Sequence, residues 1–273
     1  MSKRMIRTAL VTATLLVAPV LSTMPAQADQ APADRAPLAV TEKAGKYKVT
    51  IKISKKELVA NQGKVKITGR VTPKASGKVI QLQQQVRNRR WKDAGKTKVK
   101  ANGTYKFVDK PSNEGVRHYR VVVPASKGIS KGVSKSVTLT VWKWKRLAWD
   151  LYQSASDNVT YMSAAVNAEN YGQSLITEEK GKPGFVEFTL GGKCRKIRFA
   201  TALTDGSTTG ATGQATFSVD GTQQLSTALS IGMTPTFSEF DVWDVSRVRF
   251  DLANSADPVG QAAIITPQAL CQP

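Results

Sequence analysis

The chain has 273 residues and a formal net charge of +20, from 40 Lys and Arg against 20 Asp and Glu. A hydrophobic content of 41% is enough for real cores and excludes wholesale disorder. Two Cys and one distant His do not make up a zinc shell. The length has room for about two domains.

The N-terminus carries an export pattern. Lys3, Arg4 and Arg7 form a positive start, Thr8 to Leu21 is mostly apolar, and Ala26-Gln27-Ala28 fits a small-x-small cleavage site. Residues 1–28 are therefore expected to be a cleaved secretory signal. The protein is then secreted, or retained non-covalently at the cell envelope. No Cys follows the cleavage site to carry a lipid, and no transmembrane segment is expected in the mature chain. Export places Cys194 and Cys271 in an oxidising compartment, where an isolated pair is most simply one disulfide. Closing that loop stabilises by roughly 4–5 kcal/mol in the chain-entropy model.

Charge divides the chain. Residues 29–146 carry 29 Lys and Arg with 7 Asp and Glu, a net of +22, whereas residues 147–273 carry 8 and 13, a net of −5. Such asymmetry points to two domains with different jobs. A basic exported domain attracts anionic envelope polymers such as wall teichoic acids, acidic polysaccharide, anionic lipid headgroups or extracellular DNA. Export argues against an intracellular nucleic-acid role. The same lysines also serve a plainer purpose, keeping exposed strands soluble and unpaired.

In chain order, residues 29–45 are Ala/Pro-rich and aperiodic, as a linker is. From Tyr47 the pattern is strands. Val49, Ile51 and Ile53 alternate with polar residues, as do Val65, Ile67 and Val71 up to Pro73. Val79 to Val86, Trp91, Val99, Tyr105 with Phe107, Arg117 to Val123 and Ser136 to Trp142 continue the series. Seven or eight short strands with regular turns predict an immunoglobulin-type sandwich over 46–144.

The runs Gly69-Arg70-Val71-Thr72-Pro73, Gly77 to Gln83, Arg90-Trp91, Asn102 to Phe107 and Tyr119 to Pro124 resemble the bacterial Ig-like repeats of exported actinobacterial proteins. The resemblance covers about 46–142 and implies a spacer or stalk. Trp91 reads as a core or turn aromatic and His118 as a structural strand residue. Trp142, Lys143-Trp144-Lys145-Arg146 and Trp149 form an aromatic-basic junction, read as interdomain packing or as a membrane-interface contact. The domain boundary is placed near Trp144.

The second module, 145–273, alternates at Phe185 to Leu190, Lys196 to Leu203, Thr216 to Val219 before an Asp220-Gly221 turn, and Val248, Phe250 and Leu252. Tyr171 to Leu175 is a loop or short strand, and Asp205 to Gly213 a surface loop. The order Tyr171-Gly172-Gln173-Ser174-Leu175, Phe185 to Leu190, Gly192 to Phe199, Phe217-Ser218-Val219-Asp220-Gly221, Phe240-Asp241-Val242 and Val245 to Phe250 resembles the NPCBM family. These are carbohydrate-binding modules attached to bacterial glycoside hydrolases. The resemblance implies a galactose-binding-like jelly roll over about 147–272. Where the family carries an acidic-His pair followed by Trp, this chain has Asp257-Pro258-Val259-Gly260-Gln261-Ala262-Ala263. The jelly roll also implies a structural calcium with Asp157 or Asp205 as loop ligands, although no calcium-loop spacing is present; otherwise no cofactor or metal is expected.

Sugars stack their apolar faces on aromatics while polar groups orient the hydroxyls. The candidates here are Trp243, Tyr171, Trp149, Tyr152 and Tyr161. Trp243, between Asp241 and Asp244, is expected to be the most exposed. For each of the five, core or interdomain packing is the competing reading. No catalytic residues are assigned: His118 has no triad partner, and Glu178, Glu179 and Glu187 read as solvated carboxylates rather than a glycosidase pair. The expectation is an all-β protein, an Ig-like sandwich then a jelly roll. Its role is read as non-catalytic carbohydrate binding, with a polysaccharide or cell-wall glycan as partner. The alternative is a structural or adhesin-type protein that binds a protein partner or polyanion.

Overall fold

A computed structural model describes residues 45–273. The signal and all but the end of the linker expected from the sequence lie outside them. The described residues form β-strands with a single helical turn. The first half contains β1 (Lys48–Val49), β2 (Lys52–Ile53), β3 (Glu57–Val59), β4 (Val65–Thr72), β5 (Val79–Val86), β6 (Lys92–Lys98), β7 (Thr104–Asp109), β8 (Gly115–Val123), β9 (Gly132–Val133) and β10 (Val137–Arg146). After α1 (Leu147–Asp150) come β11 (Tyr152–Asp157), β12 (Val159–Val166), β13 (Glu169–Thr177), β14 (Gly184–Thr189) and β15 (Cys194–Leu203). The chain ends with β16 (Thr212–Val219), β17 (Thr222–Ser230), β18 (Ser238–Asp241), β19 (Arg247–Asn254) and β20 (Ala262–Cys271).

The first sandwich follows from period-two alternation. In one sheet β4 pairs with β1, β2 and β7, and in the other β10, β8, β5 and β6 run in that order. Val65, Ile67, Val71, Tyr105 and Phe107 of the first sheet meet Ile80, Leu82, Tyr119, Val121, Leu139 and Val141 of the second. Polar tips inside this core are satisfied. The Tyr119 hydroxyl donates to Asp109 at 2.5 Å, and the Tyr105 hydroxyl to the Thr50 carbonyl, also at 2.5 Å. Burial raises both phenols well above the tyrosine range, and Asp109 adds to the rise at Tyr119.

That Tyr105–Thr50 bond passes over Gly69. A β-carbon there would lie 1.9 Å from the Thr50 carbonyl oxygen and 2.4 Å from the Tyr105 hydroxyl.

Strand β10 joins the halves. Its Val137–Val141 segment pairs with β8, while Lys143–Arg146 pairs with β20, so the boundary placed near Trp144 falls inside a continuous strand. β20 is the central strand of the second half, with β15 along one edge and β13 and β10 sharing the other. Facing it is the sheet β11-β14-β19-β16-β17. The core between them holds Phe188, Phe199, Phe217 and Phe250, with the Phe199 and Phe250 rings 4.8 Å apart. On the other side of β13, β20 and β15 a smaller cluster of Ala164, Val166, Ile176, Ala200, Ala202, Ala263 and Ile265 is packed by Tyr171.

The Asp220-Gly221 turn is as read: both residues have positive φ (44° and 83°), the type I′ geometry. The Asp220 carboxylate also accepts the backbone N–H groups of Ser246 and Arg247. Several strands escaped the period-two reading, among them the short β3 and β9 and the exposed β6 and β11. β20 is buried on both faces, so its Ala/Ile run does not alternate. β17 is a mostly exposed Thr/Gln/Ser edge, and β12 and β18 carry no clean apolar alternation. Tyr171–Leu175 belongs to the nine-residue β13.

Cys194 and Cys271 are disulfide-bonded. They stand directly opposite in the β15–β20 register, beside Lys143 of β10. The bond therefore closes the sheet at the point where the shared strand enters it.

Two stability outcomes follow. Gly69→Ala should lose about 2–3 kcal/mol, because the clash is with backbone oxygen and not a movable side chain; urea denaturation reads it as a lower midpoint. The double variant Cys194→Ser/Cys271→Ser should lose about 2–5 kcal/mol, and reductant should destabilise the parent by the same amount while leaving the variant unchanged.

Candidate functional site

The five aromatics selected from the sequence occupy different places. Trp243 is exposed at 60%, in the turn after β18, with its ring 5.8 Å from that of Trp142. Trp142 is 3% exposed and also carries the Arg195 guanidinium at 5.4 Å. Arg195 in turn donates to Glu57 of β3 at 2.8 Å. This group braces the two halves where β10 passes between them, so Trp243 has a packing role on one ring face.

Tyr171 is half-buried, and its hydroxyl donates to Glu169 at 2.8 Å, which raises its pKa. Tyr152 is exposed at the start of β11, on a cleft of about 290 Å³ with Lys145, Lys193 and Gln272.

Trp149 and Tyr161 come together. Trp149 on α1 is 65% exposed, and its ring centroid lies 5.7 Å from that of Tyr161 on β12, at an interplanar angle of 47°. Leu147, on the same helical turn, is fully buried in the second core and anchors it. Asp150 accepts the Arg146 backbone N–H at 2.9 Å and pairs with the Arg146 side chain at 3.3 Å. Partial burial pushes the Asp150 carboxyl up, but its hydrogen bonds to Arg146 and the charges of Arg146 and Lys143 outweigh that and hold it below the usual range.

Polar groups continue from this pair across the sheet. The Arg146 guanidinium lies 5.6 Å from the Trp149 ring. Arg146 stands opposite Gln268, and Gln268 opposite Arg198, so all three side chains share one face. Arg198 donates twice to the Gln268 side-chain oxygen, at 3.0 and 2.6 Å, and stacks 4.0 Å from the Trp144 ring. The result is an open ledge of two tilted aromatic rings with the Arg146 guanidinium beside it; Tyr161 stands opposite Leu175 on the core-facing side of its sheet, whereas Gln268 and Arg198 lie on the face turned away from that core.

A second surface was not foreseen. Register places Asp157, Phe185, Asp251, Thr216 and Ser226 in one row across the outer face of the five-stranded sheet. Asp157, Phe185, Asp251 and Thr216, with Gln214, line a hollow of about 250 Å³ that the small Ala253 side chain leaves open. Arg249 covers Phe185 at 3.7 Å and binds Asp251 at 2.7 Å. The available signal was Phe185 itself, an aromatic on the solvent-facing parity of a strand whose Val186 and Phe188 face inward.

The remaining candidates are spoken for. Glu187 accepts from Ser154 and pairs with Arg247, and Glu179 pairs with Lys182. His118 bonds Thr138 at 3.0 Å on the sheet surface. Asp205 spends both oxygens on the backbone N–H groups of Asn167 and Ala168. Among the described residues no three His, Cys, Asp or Glu side chains converge. No helix among the described residues is long and apolar enough to cross a membrane.

No protein-family model and no curated protein matches the chain. Three solved structures share parts of the fold. CBM51 from Clostridium perfringens GH95, in complex with methyl-galactose, overlaps at 9% identity and a TM-score of 0.39, over 46% of this chain and 99% of that one. The CBM51-2 and INT domains of Clostridium perfringens ZmpB overlap at 13% identity and 0.39, over 58% of this chain and 38% of that one. The CBM22-1-CBM22-2 tandem of Paenibacillus barcinonensis Xyn10C overlaps at 11% identity and 0.30, over 83% and 94%.

The brace gives a direct outcome. Trp243→Ala should uncover Trp142, shift tryptophan emission to the red and cost about 1 kcal/mol for the lost aromatic pair, measured by fluorescence-monitored urea denaturation.

Proposed function

We propose that this is an exported, non-catalytic glycan-binding protein whose second half holds carbohydrate on the Trp149–Tyr161 ledge. The observation that carries the reading is this pair: Trp149, on a helical turn otherwise anchored in the core, and its neighbour Tyr161 on β12, both left open to solvent. Exposed aromatics cost hydration free energy unless something covers them. A pyranose ring does so with its C–H face, and polar groups at the edge then choose among hydroxyl patterns. Arg146 is fixed beside the Trp149 ring by Asp150 in advance of binding, which limits the ordering cost of association.

The tilt of the two rings suits successive residues of a twisted chain better than one flat ring system. The first half is an Ig-like spacer in this reading, rigidly coupled through β10. Secretion rests on the N-terminal pattern and is supported by the Cys194–Cys271 disulfide. Trp243 and Tyr171 hold packing positions here, while Tyr152 lies along the neighbouring cleft.

The test is affinity electrophoresis and calorimetry of the full chain against a panel of neutral polysaccharides at high salt. At least one glycan should be retained. Trp149→Ala and Tyr161→Ala should each weaken that binding about tenfold or more, with unchanged urea midpoints. Asp157→Ala and Thr216→Ala in the hollow should leave it intact. Loss only in the hollow variants moves the site to the five-stranded sheet, and retention of no glycan at all overturns the function.

A further inference from the structure

We propose that the outer face of the β1/β2-β4-β7 sheet binds a linear polymer whose charge lies on backbone phosphates. The face is built by alternation. Val49, Ile53, Val65, Ile67, Val71, Tyr105 and Phe107 point into the first core, so Lys48, Lys52, Lys66, Arg70 and Lys106 all point outward and are exposed.

Register arranges these cations against hydroxyls. Lys48 stands opposite Thr72, and Arg70 opposite Thr104. Thr68 lies between Lys52 and Lys106 in a single row. The backbone N–H of Lys66 is bonded by the Ser54 hydroxyl. Neighbouring strands are about 4.8 Å apart and alternate residues about 6.8 Å apart, so the charges form a net with spacings of roughly 7–14 Å.

The charge is uncompensated. Among the described residues none of the five cations pairs with a carboxylate. The four acidic residues of 45–142 are all committed elsewhere: Glu57 to Arg195, Asp93 to Gln83, Asp109 to Tyr119, and Glu114 to Arg87 and Lys145. A lysine-covered strand serving only solubility needs no such segregation, since interspersed acids keep a surface soluble equally well.

The composition of the face selects the partner. It carries no aromatic, so bases or sugar rings have nothing to stack on, which disfavours single-stranded nucleic acid. Four of the five cations are Lys, a compact point charge that binds phosphate oxygens without the fixed bidentate geometry of an Arg fork. Ser and Thr hydroxyls between the ammonium groups supply further donors to phosphate. The occupant assigned here is a flexible, base-free phosphate polymer, held by electrostatics and counterion release, and polygalacturonate is the carboxylate alternative that the test must separate from it.

The full chain is titrated with long-chain inorganic polyphosphate between about 50 and 200 mM salt, with polygalacturonate and anionic phospholipid vesicles as parallel probes. Lys52→Gln/Lys66→Gln/Lys106→Gln should weaken polyphosphate binding at least tenfold at the lowest salt and flatten the log K against log salt slope by about 2 to 3. Lys92→Gln/Lys96→Gln/Lys98→Gln, which removes equal charge from β6 of the other sheet, should change the slope by less than about 1. Equal losses in the two triple variants would reduce the effect to net charge and overturn the assigned face. Absence of polyphosphate binding overturns the proposal, as does equal or tighter binding of polygalacturonate or vesicles. Neutral-glycan retention on the ledge is read separately at high salt, so either proposal can fail alone.

Discussion

Everything in the described chain hangs on how the backbone hydrogen bonds of one strand are divided. β10 spends Val137–Val141 on β8 and Lys143–Arg146 on β20, so a single run of ten residues belongs to both halves. A buried strand must satisfy its N–H and C=O groups, and here half of them are satisfied by each module. That is a stiffer connection than a linker, because rotating one half against the other would break ladder bonds rather than turn a free dihedral. The disulfide at Cys194 and Cys271 and the Arg195–Glu57 pair lie at the same crossing and hold it from both sides.

The crossing also explains the uses of the tryptophans. Side chains alternate along β10, so Leu139 and Val141 enter the first core while Trp142, Trp144 and Arg146 line the opposite face. Trp142 lands where β18 and β15 approach and becomes buried beneath Trp243 and Arg195. Trp144, two residues on, stacks with Arg198, and α1 then turns Trp149 out to solvent. One short sequence therefore supplies both a structural brace and an exposed aromatic surface.

The two surfaces hold their cations differently. Beside the Trp149–Tyr161 pair, Arg146 is neutralised by Asp150. On the β4 face, among the described residues, no cation pairs with a carboxylate, the Arg70 guanidinium donates only to the Asn102 carbonyl, and no ring lies beside them. The first arrangement favours shape and hydroxyl pattern over charge, and the second favours charge over shape. If both proposals hold, two chemically different ligands share one chain, with avidity between them set by the span through β10 rather than by a flexible tether.

Sequence alone determined the strand series of the first half, the paired cysteines, the Asp220-Gly221 turn and the asymmetry of charge. These depend on alternation, on turn chemistry and on composition, all of which are local. It also placed Trp149 and Tyr161 among the candidates, though without pairing them. Tertiary structure alone decided that pairing, the burial of Trp142 against Trp243, and the hollow row from Asp157 to Ser226, because each joins residues from strands far apart in the chain. β20 stayed hidden for a related reason: buried on both faces, it has no alternation to read, and its role as central strand is visible only from its partners. Period-two patterns report which side of a strand meets a core, but not which strand lies alongside it. Here the choice of neighbour made Trp142 a brace and Trp149 a surface.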